Sequence, residues 1–140
     1  MKLVQLISLL SISFAVVAAE NSALSSVSQL QWSNRVLLIF GDKDYMPQLN
    51  AQLDEINERH IKWFLFDNEG VQSNHAEGVT KEFLNNARSR YMAEGAGVVL
   101  IGKDGGVKGQ QSELDLSIIF ATIDSMPMRL EEMQQENKSS

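Results

Sequence analysis

Two apolar runs restrict what this 140-residue chain can fold into. Arg35-Val36-Leu37-Leu38-Ile39-Phe40 and Ile61-Lys62-Trp63-Phe64-Leu65-Phe66 are nearly continuous rather than alternating. Continuous apolarity suits a strand covered on both faces. Between them, Asp44 to Glu58 carries Met46, Leu49, Leu53 and Ile56 at steps of three and four, which predicts a helix with one apolar face. Asp44 is its expected N-cap, and Pro47 falls in the first turn, where a missing N–H costs little. Strand, helix and strand in that order form a βαβ unit, so the two strands should be parallel with a right-handed crossover.

Beyond the second strand, Asp67 to Gly78 is polar and reads as a loop. A second helix is expected over Val79 to Met92, with Phe83, Leu84, Ala87 and Tyr91 on one face. Gly95-Ala96-Gly97 breaks that pattern. Val98 to Ile101 reads as a third strand, Asp104-Gly105 as a two-residue hairpin turn, and Val107 to Gln110 as a short edge strand. Ser112-Glu113-Leu114-Asp115 has the form of a capping box ahead of a last helix. Leu116, Ile119, Ile123 and Met126 should point inward from that helix, which should stop before Pro127. Met128 to Glu136 is a candidate short helix. The order β-α-β-α-β-β-α predicts an α/β fold, a thioredoxin-like three-layer sandwich on a four-stranded mixed sheet. The domain should span residues 30–134, after a flexible Ser-rich lead-in over 20–29 and before a disordered tail over 135–140.

That topology makes one absence informative. A thioredoxin-like fold carries its redox Cys-x-x-Cys at the turn between the first strand and the first helix. Here the turn is Gly41-Asp42-Lys43-Asp44, and the chain has no cysteine at all. Dithiol oxidoreductases, peroxidatic-cysteine enzymes and cysteine hydrolases all need a thiolate, so each is excluded. Residues 1–19 read as a secretory signal peptide. Lys2 precedes an apolar stretch from Leu3 to Val17, and Val17-Ala18-Ala19 is a small-residue cleavage site before Glu20. Gln5, Ser8, Ser11 and Ser13 interrupt the run, which argues against a membrane anchor. The expected product is secreted or periplasmic, with no disulfide to staple it. Its formal net charge of −6 becomes one unit more negative once Lys2 is removed. An acidic domain repels phosphate backbones and anionic lipid, so nucleic acid and membrane surfaces are poor partners.

Two segments carry a more specific likeness. Leu100-Ile101-Gly102-Lys103-Asp104-Gly105-Gly106-Val107-Lys108 and Ile123-Asp124-Ser125-Met126-Pro127-Met128-Arg129 together resemble the domain-of-unknown-function family numbered 4174. Trp32-Ser33-Asn34-Arg35 at the head of the first strand fits the same family, and the likeness covers about Leu30 to Met133. The resemblance implies a thioredoxin-like fold in exported proteins. It supplies no catalytic residues to carry over. Alignment on the hairpin turn also places the thioredoxin cis-proline slot near Gly97. A cis peptide without proline is costly, so the groove-shaping proline is missing along with the sulfur.

Each remaining motif has a plainer reading beside the chemical one. Asp42-x-Asp44 after an apolar strand resembles the haloacid-dehalogenase phosphatases, but Gly41 intervenes and Tyr45 follows; a helix cap with a dipole-favoured neighbour explains both carboxylates. His60 and His75 are the only histidines. His75 with Asp67, Glu69 or Glu77 makes at best a loose metal set, and a solvated loop is the simpler reading. His60 at a helix-to-strand junction would suit a helix C-terminus as a cation. Neither glycine-bearing segment matches a phosphate loop, and no nucleophile elbow is present. Arg88, Arg90 and Arg129 read as solvated. Met126, Met128 and Met133 read as core and edge packing, or as an adaptable binding surface.

The sequence therefore points to an exported, non-catalytic thioredoxin-like interaction module without cofactor or metal. Its partner would be another exported protein or an envelope component. The candidate surface is Asp42, Lys43, Asp44, Gly97 and Arg129. The alternative is a cysteine-independent hydrolase or metal-assisted enzyme using Asp42 and Asp44 near the Gly97 turn. That alternative requires a pocket above the first strand containing a buried, shifted carboxylate.

Overall fold

A computed structural model describes residues 23–92 and 95–140 of the chain. The signal-like segment over 1–19 lies outside the described residues. Strand β1 (Arg35–Phe40) is buried at every position, and β2 (Ile61–Asp67) is buried at all but Lys62 and Asp67. They pair in parallel from Arg35 opposite Ile61 to Phe40 opposite Phe66. On the other side of β1 lies β4 (Val98–Ile101), antiparallel, followed by β5 (Val107–Gln111) at the sheet edge. The strand order is β3-β2-β1-β4-β5. A β1–β2 parallel pair with β4 reversed beside β1 and β5 beyond it is the thioredoxin-like arrangement.

Strand β3 (Gly70–Ser73) makes the sheet five-stranded rather than four-stranded. It folds back antiparallel on β2, after a turn in which the Asp67 carboxylate accepts the Glu69 N–H at 2.8 Å. The sequence predicts loop for this segment. Its four residues hold one aliphatic side chain, Val71, too few to generate a period-2 signal.

The alternating faces of the strands build two cores. On one face, Leu37, Ile39, Trp63, Leu65, Val98 and Leu100 pack under helices α1 (Met46–Ala51), α2 (Leu53–Glu58) and α4 (Leu116–Asp124). On the other, Leu38, Phe40, Phe64 and Phe66 pack against Phe83 and Ala87 of α3 (Lys81–Tyr91). The expected lead-in over 20–29 joins this second core where it is described. Leu24 bridges to Val79, and Val27 and Leu30, three residues apart on a 3₁₀ turn, are buried with it.

Several local expectations shift. The first helix is broken at Gln52 (φ −122°, ψ 28°) into α1 and α2. The break resets the helical phase, so Leu49 and Ile56 stay buried while Leu53 is 44% exposed. The α4 cap is Asp115, whose carboxylate accepts the Ile118 N–H, rather than Ser112. The hairpin between β4 and β5 takes five residues, Gly102 to Gly106, and Gly105 adopts φ +84° within it. Trp32 is left 65% exposed. Helix α5 (Pro127–Lys138) continues through most of the segment expected to be a disordered tail. No helix among the described residues is long and apolar enough to cross a membrane.

Candidate functional site

The turn after β1 is where a thioredoxin-like fold carries its chemistry. Gly41 leaves the strand at φ +132°, and Asp42, Lys43 and Asp44 follow it into solvent. Asp44 accepts the Met46 N–H at 3.0 Å, so its carboxylate serves the start of α1, with Tyr45 as the N-cap residue itself. Lys43 reaches Glu113 at 3.5 Å across open surface, a pair of small energetic weight. A groove of about 470 Å³ does lie beside the turn, walled by Phe40, Asp42, Phe66, Asp67, Arg88 and Met92. Asp44 is not in its wall. Asp42 and Asp44 are both exposed, so neither is the buried carboxylate that the enzyme reading required. Among the described residues, no three His, Asp or Glu side chains are placed to hold a metal ion. His75 instead lies 3.3 Å from Glu77.

Gly97 sits next to this turn, and its carbonyl accepts the Phe40 N–H at 2.7 Å. A Cβ added there would overlap the Ser112 carbonyl oxygen. The slot that a thioredoxin gives to proline is therefore closed by backbone, and only glycine fits it.

The charged chemistry is at the opposite end of the sheet. Arg35 opens β1, His60 precedes β2 and Lys103 follows β4, so the strand directions bring all three to one pole. Helix α5 supplies Arg129 and Glu132. Arg35 and Arg129 are each 1% exposed and Lys103 is 8% exposed. Arg129 thus belongs to the interior, not to the surface expected for it. Glu132 is the shared acceptor: Arg35 meets it with both terminal nitrogens at 3.2 and 3.3 Å, and Lys103 donates to it at 2.6 Å. Arg129 donates to Glu58 at 3.0 Å and to Asp124 at 3.4 Å. Arg59 forks onto Asp124 at 3.0 and 2.8 Å and reaches Glu55 at 2.7 Å.

The electrostatics follow from this wiring. Burial works to raise the Glu132 pKa, but the hydrogen bonds from Lys103 and Arg35 outweigh it and hold the carboxyl below its ordinary range. Asp124 is lowered chiefly by its Arg59 bonds. His60 behaves contrary to the expectation of a cation at a helix C-terminus. Burial first, and the Lys103 charge second, lower its pKa. The Lys103 ammonium can only donate, and it lies 2.7 Å from His60 Nδ1, so that nitrogen accepts and the ring is neutral. His60 also takes φ +53°, the left-handed turn that ends α2.

A second groove, of about 530 Å³, opens beside this cluster between the β4–β5 hairpin and the α4–α5 junction. Met126, Pro127 and Met128 form its apolar wall, and Arg35, Lys103 and Lys108 contribute cationic groups. Lys108 is paired with Asp104 at 2.8 Å. Arg35 Nε is buried and has no hydrogen-bond partner among the described residues. The sequence singled out the methionines and Arg129, but not Arg35, Lys103 and Lys108 or the cluster they form. Arg35 heads an apolar strand and Arg129 precedes Glu132 by one helical turn; each is ordinary alone, and only the strand directions bring them together.

The fold and site together define a thioredoxin-like domain without the cysteines of a redox centre. Residues 26–132 match the family described as "Domain of unknown function (DUF4174)", and the chain belongs to that family. A search of curated proteins gave no match. Among solved structures, the crystal structure of Plasmodium vivax 2-Cys peroxiredoxin in its reduced form is similar at 17% identity and a TM-score of 0.45. That likeness covers 80% of this chain and 84% of the other.

Proposed function

We propose that the protein is exported and works as a non-catalytic binding module, engaging another exported protein or an envelope component through the groove at the α4–α5 junction. The groove of about 530 Å³ walled by Met126, Pro127 and Met128 carries this reading. Its volume falls within the range of natural ligand sites, and methionine adapts its shape to what it packs against. Met128 is 38% exposed, so the apolar wall is accessible. The Asp42–Asp44 turn lends no comparable support to catalysis, because Asp44 is occupied at the helix start. The signal-like residues 1–19 support export.

The test is site-specific photo-crosslinking in an exporting cell. A photoreactive residue at position 128 should give reproducible adducts, and the same residue at position 43 should give none. Equal labelling at both positions, or no adduct at 128, would sink the proposal.

A further inference from the structure

We infer that this groove captures the C-terminal carboxylate of a polypeptide whose last residue is apolar. The inference rests on the binding-module reading and names what that site recognises. Three independent features point to the ligand. The first is shape. Met126, Pro127 and Met128 offer an apolar wall, and the volume of about 530 Å³ has room for an apolar side chain and the backbone behind it.

The second is charge. Arg35, Lys103 and Lys108 share the groove and its margin with two carboxylates, Glu132 and Asp104. Three cations against two anions leave a surplus of one positive charge, on a chain whose formal net charge is −6. A monoanion completes that set. The third is an open hydrogen bond. Arg35 is 1% exposed and lines the groove; its terminal nitrogens bond Glu132 and the Arg59 carbonyl, but its buried Nε–H has no partner among the described residues. Leaving a buried charged donor unsatisfied is costly, and a carboxylate is the acceptor whose geometry suits guanidinium.

A polypeptide is the source favoured over a free acid because of where Lys108 sits. It belongs to β5, the terminal strand of the sheet, whose outer edge pairs with no strand among the described residues. A chain entering the groove by its C-terminus can continue along that edge through backbone hydrogen bonds. A free acid would leave the edge unused.

Fluorescence anisotropy on the purified protein tests this. The probe is a short dye-labelled peptide ending in valine and leucine, as the free acid and as the C-terminal amide, with octanoate as competitor. The free acid should bind about tenfold more tightly than the amide, the size expected for one charged hydrogen-bonded contact. Lys108→Met and Met128→Asp should each weaken the free acid by about tenfold while leaving the melting temperature unchanged. Both positions are at the surface, so a folded variant is expected. Equal affinity for acid and amide overturns the inference, as does undiminished binding in both variants. Octanoate binding without peptide binding also overturns it, by assigning the groove to free acids. If the peptide fails while adducts at position 128 persist, the carboxylate inference falls and the binding-module reading stands. If both fail, both fall.

Discussion

Gly97 shows how much one residue can decide. Its Cα faces the Ser112 carbonyl so closely that no side chain fits, and its own carbonyl is tied to the Phe40 N–H. Gly97→Ala should destabilise the fold by about 1–3 kcal/mol, the usual cost of forcing atoms into a packed site. A urea midpoint shifted to lower denaturant at constant slope is the measurement that checks it. The sequence marked the glycine as a break before the third strand and as the occupant of the proline slot, but gave no reason for it. The reason for it lay in Ser112, distant in the chain, which no local pattern could reveal. Arg129 makes the same point in reverse. On a helix rich in Glu and Gln it resembles any solvated arginine, yet the fold buries it against Glu58 and Asp124.

Among the elements, α5 is attached in an unusual way. Its one buried residue is Arg129, while Met128 and Leu130 on the same helix are 38% and 46% exposed. Ionic contacts therefore hold it to the sheet, and Glu132 is central to them. Glu132→Gln leaves Arg35 and Lys103 buried without their carboxylate. The expected loss is about 3 kcal/mol, near the lower end for a broken buried pair because Glu132 keeps some contact with water. Hydrogen exchange should show α5 amides opening first, well before those of β1 and β2. Uniform opening of all elements would contradict this attachment. The sequence was most informative where burial is two-sided: β1 and β2 were readable from apolar runs alone. It was least informative where an element is short or ionic, as with β3, or where a break such as Gln52 shifts the phase and turns Leu53 outward.

For the molecule as a whole, stability should depend on pH in two steps. His60 has a lowered pKa because burial and Lys103, then Arg35 and Arg129, disfavour its charged form, with Glu132 opposing them. The unfolded chain therefore takes up the proton first. Stability from this group is complete above the ordinary value of 6.5 and is lost as pH falls below it, through the lowered folded-state pKa. Glu132 and Asp124 add a second loss at lower pH. Their folded-state values lie below the ordinary 4.5 and 3.8, so the unfolded chain again binds protons more readily. Denaturation midpoints across a pH series should fall in both windows, and His60→Asn should remove the upper fall alone. A wild-type profile flat from neutrality down to about pH 5 would contradict the neutral, lysine-bonded ring.

The contact between Gly97 and Ser112 limits what chemistry could be built into the turn after β1. Grafting a Cys-x-x-Cys pair into the turn after β1 would restore the sulfur but not the proline beside it, since the Ser112 carbonyl occupies the space a ring would need. Installing thiol chemistry here thus requires moving main chain as well as exchanging side chains. Thiol chemistry at this turn is closed off by the main chain and not by the missing sulfur alone.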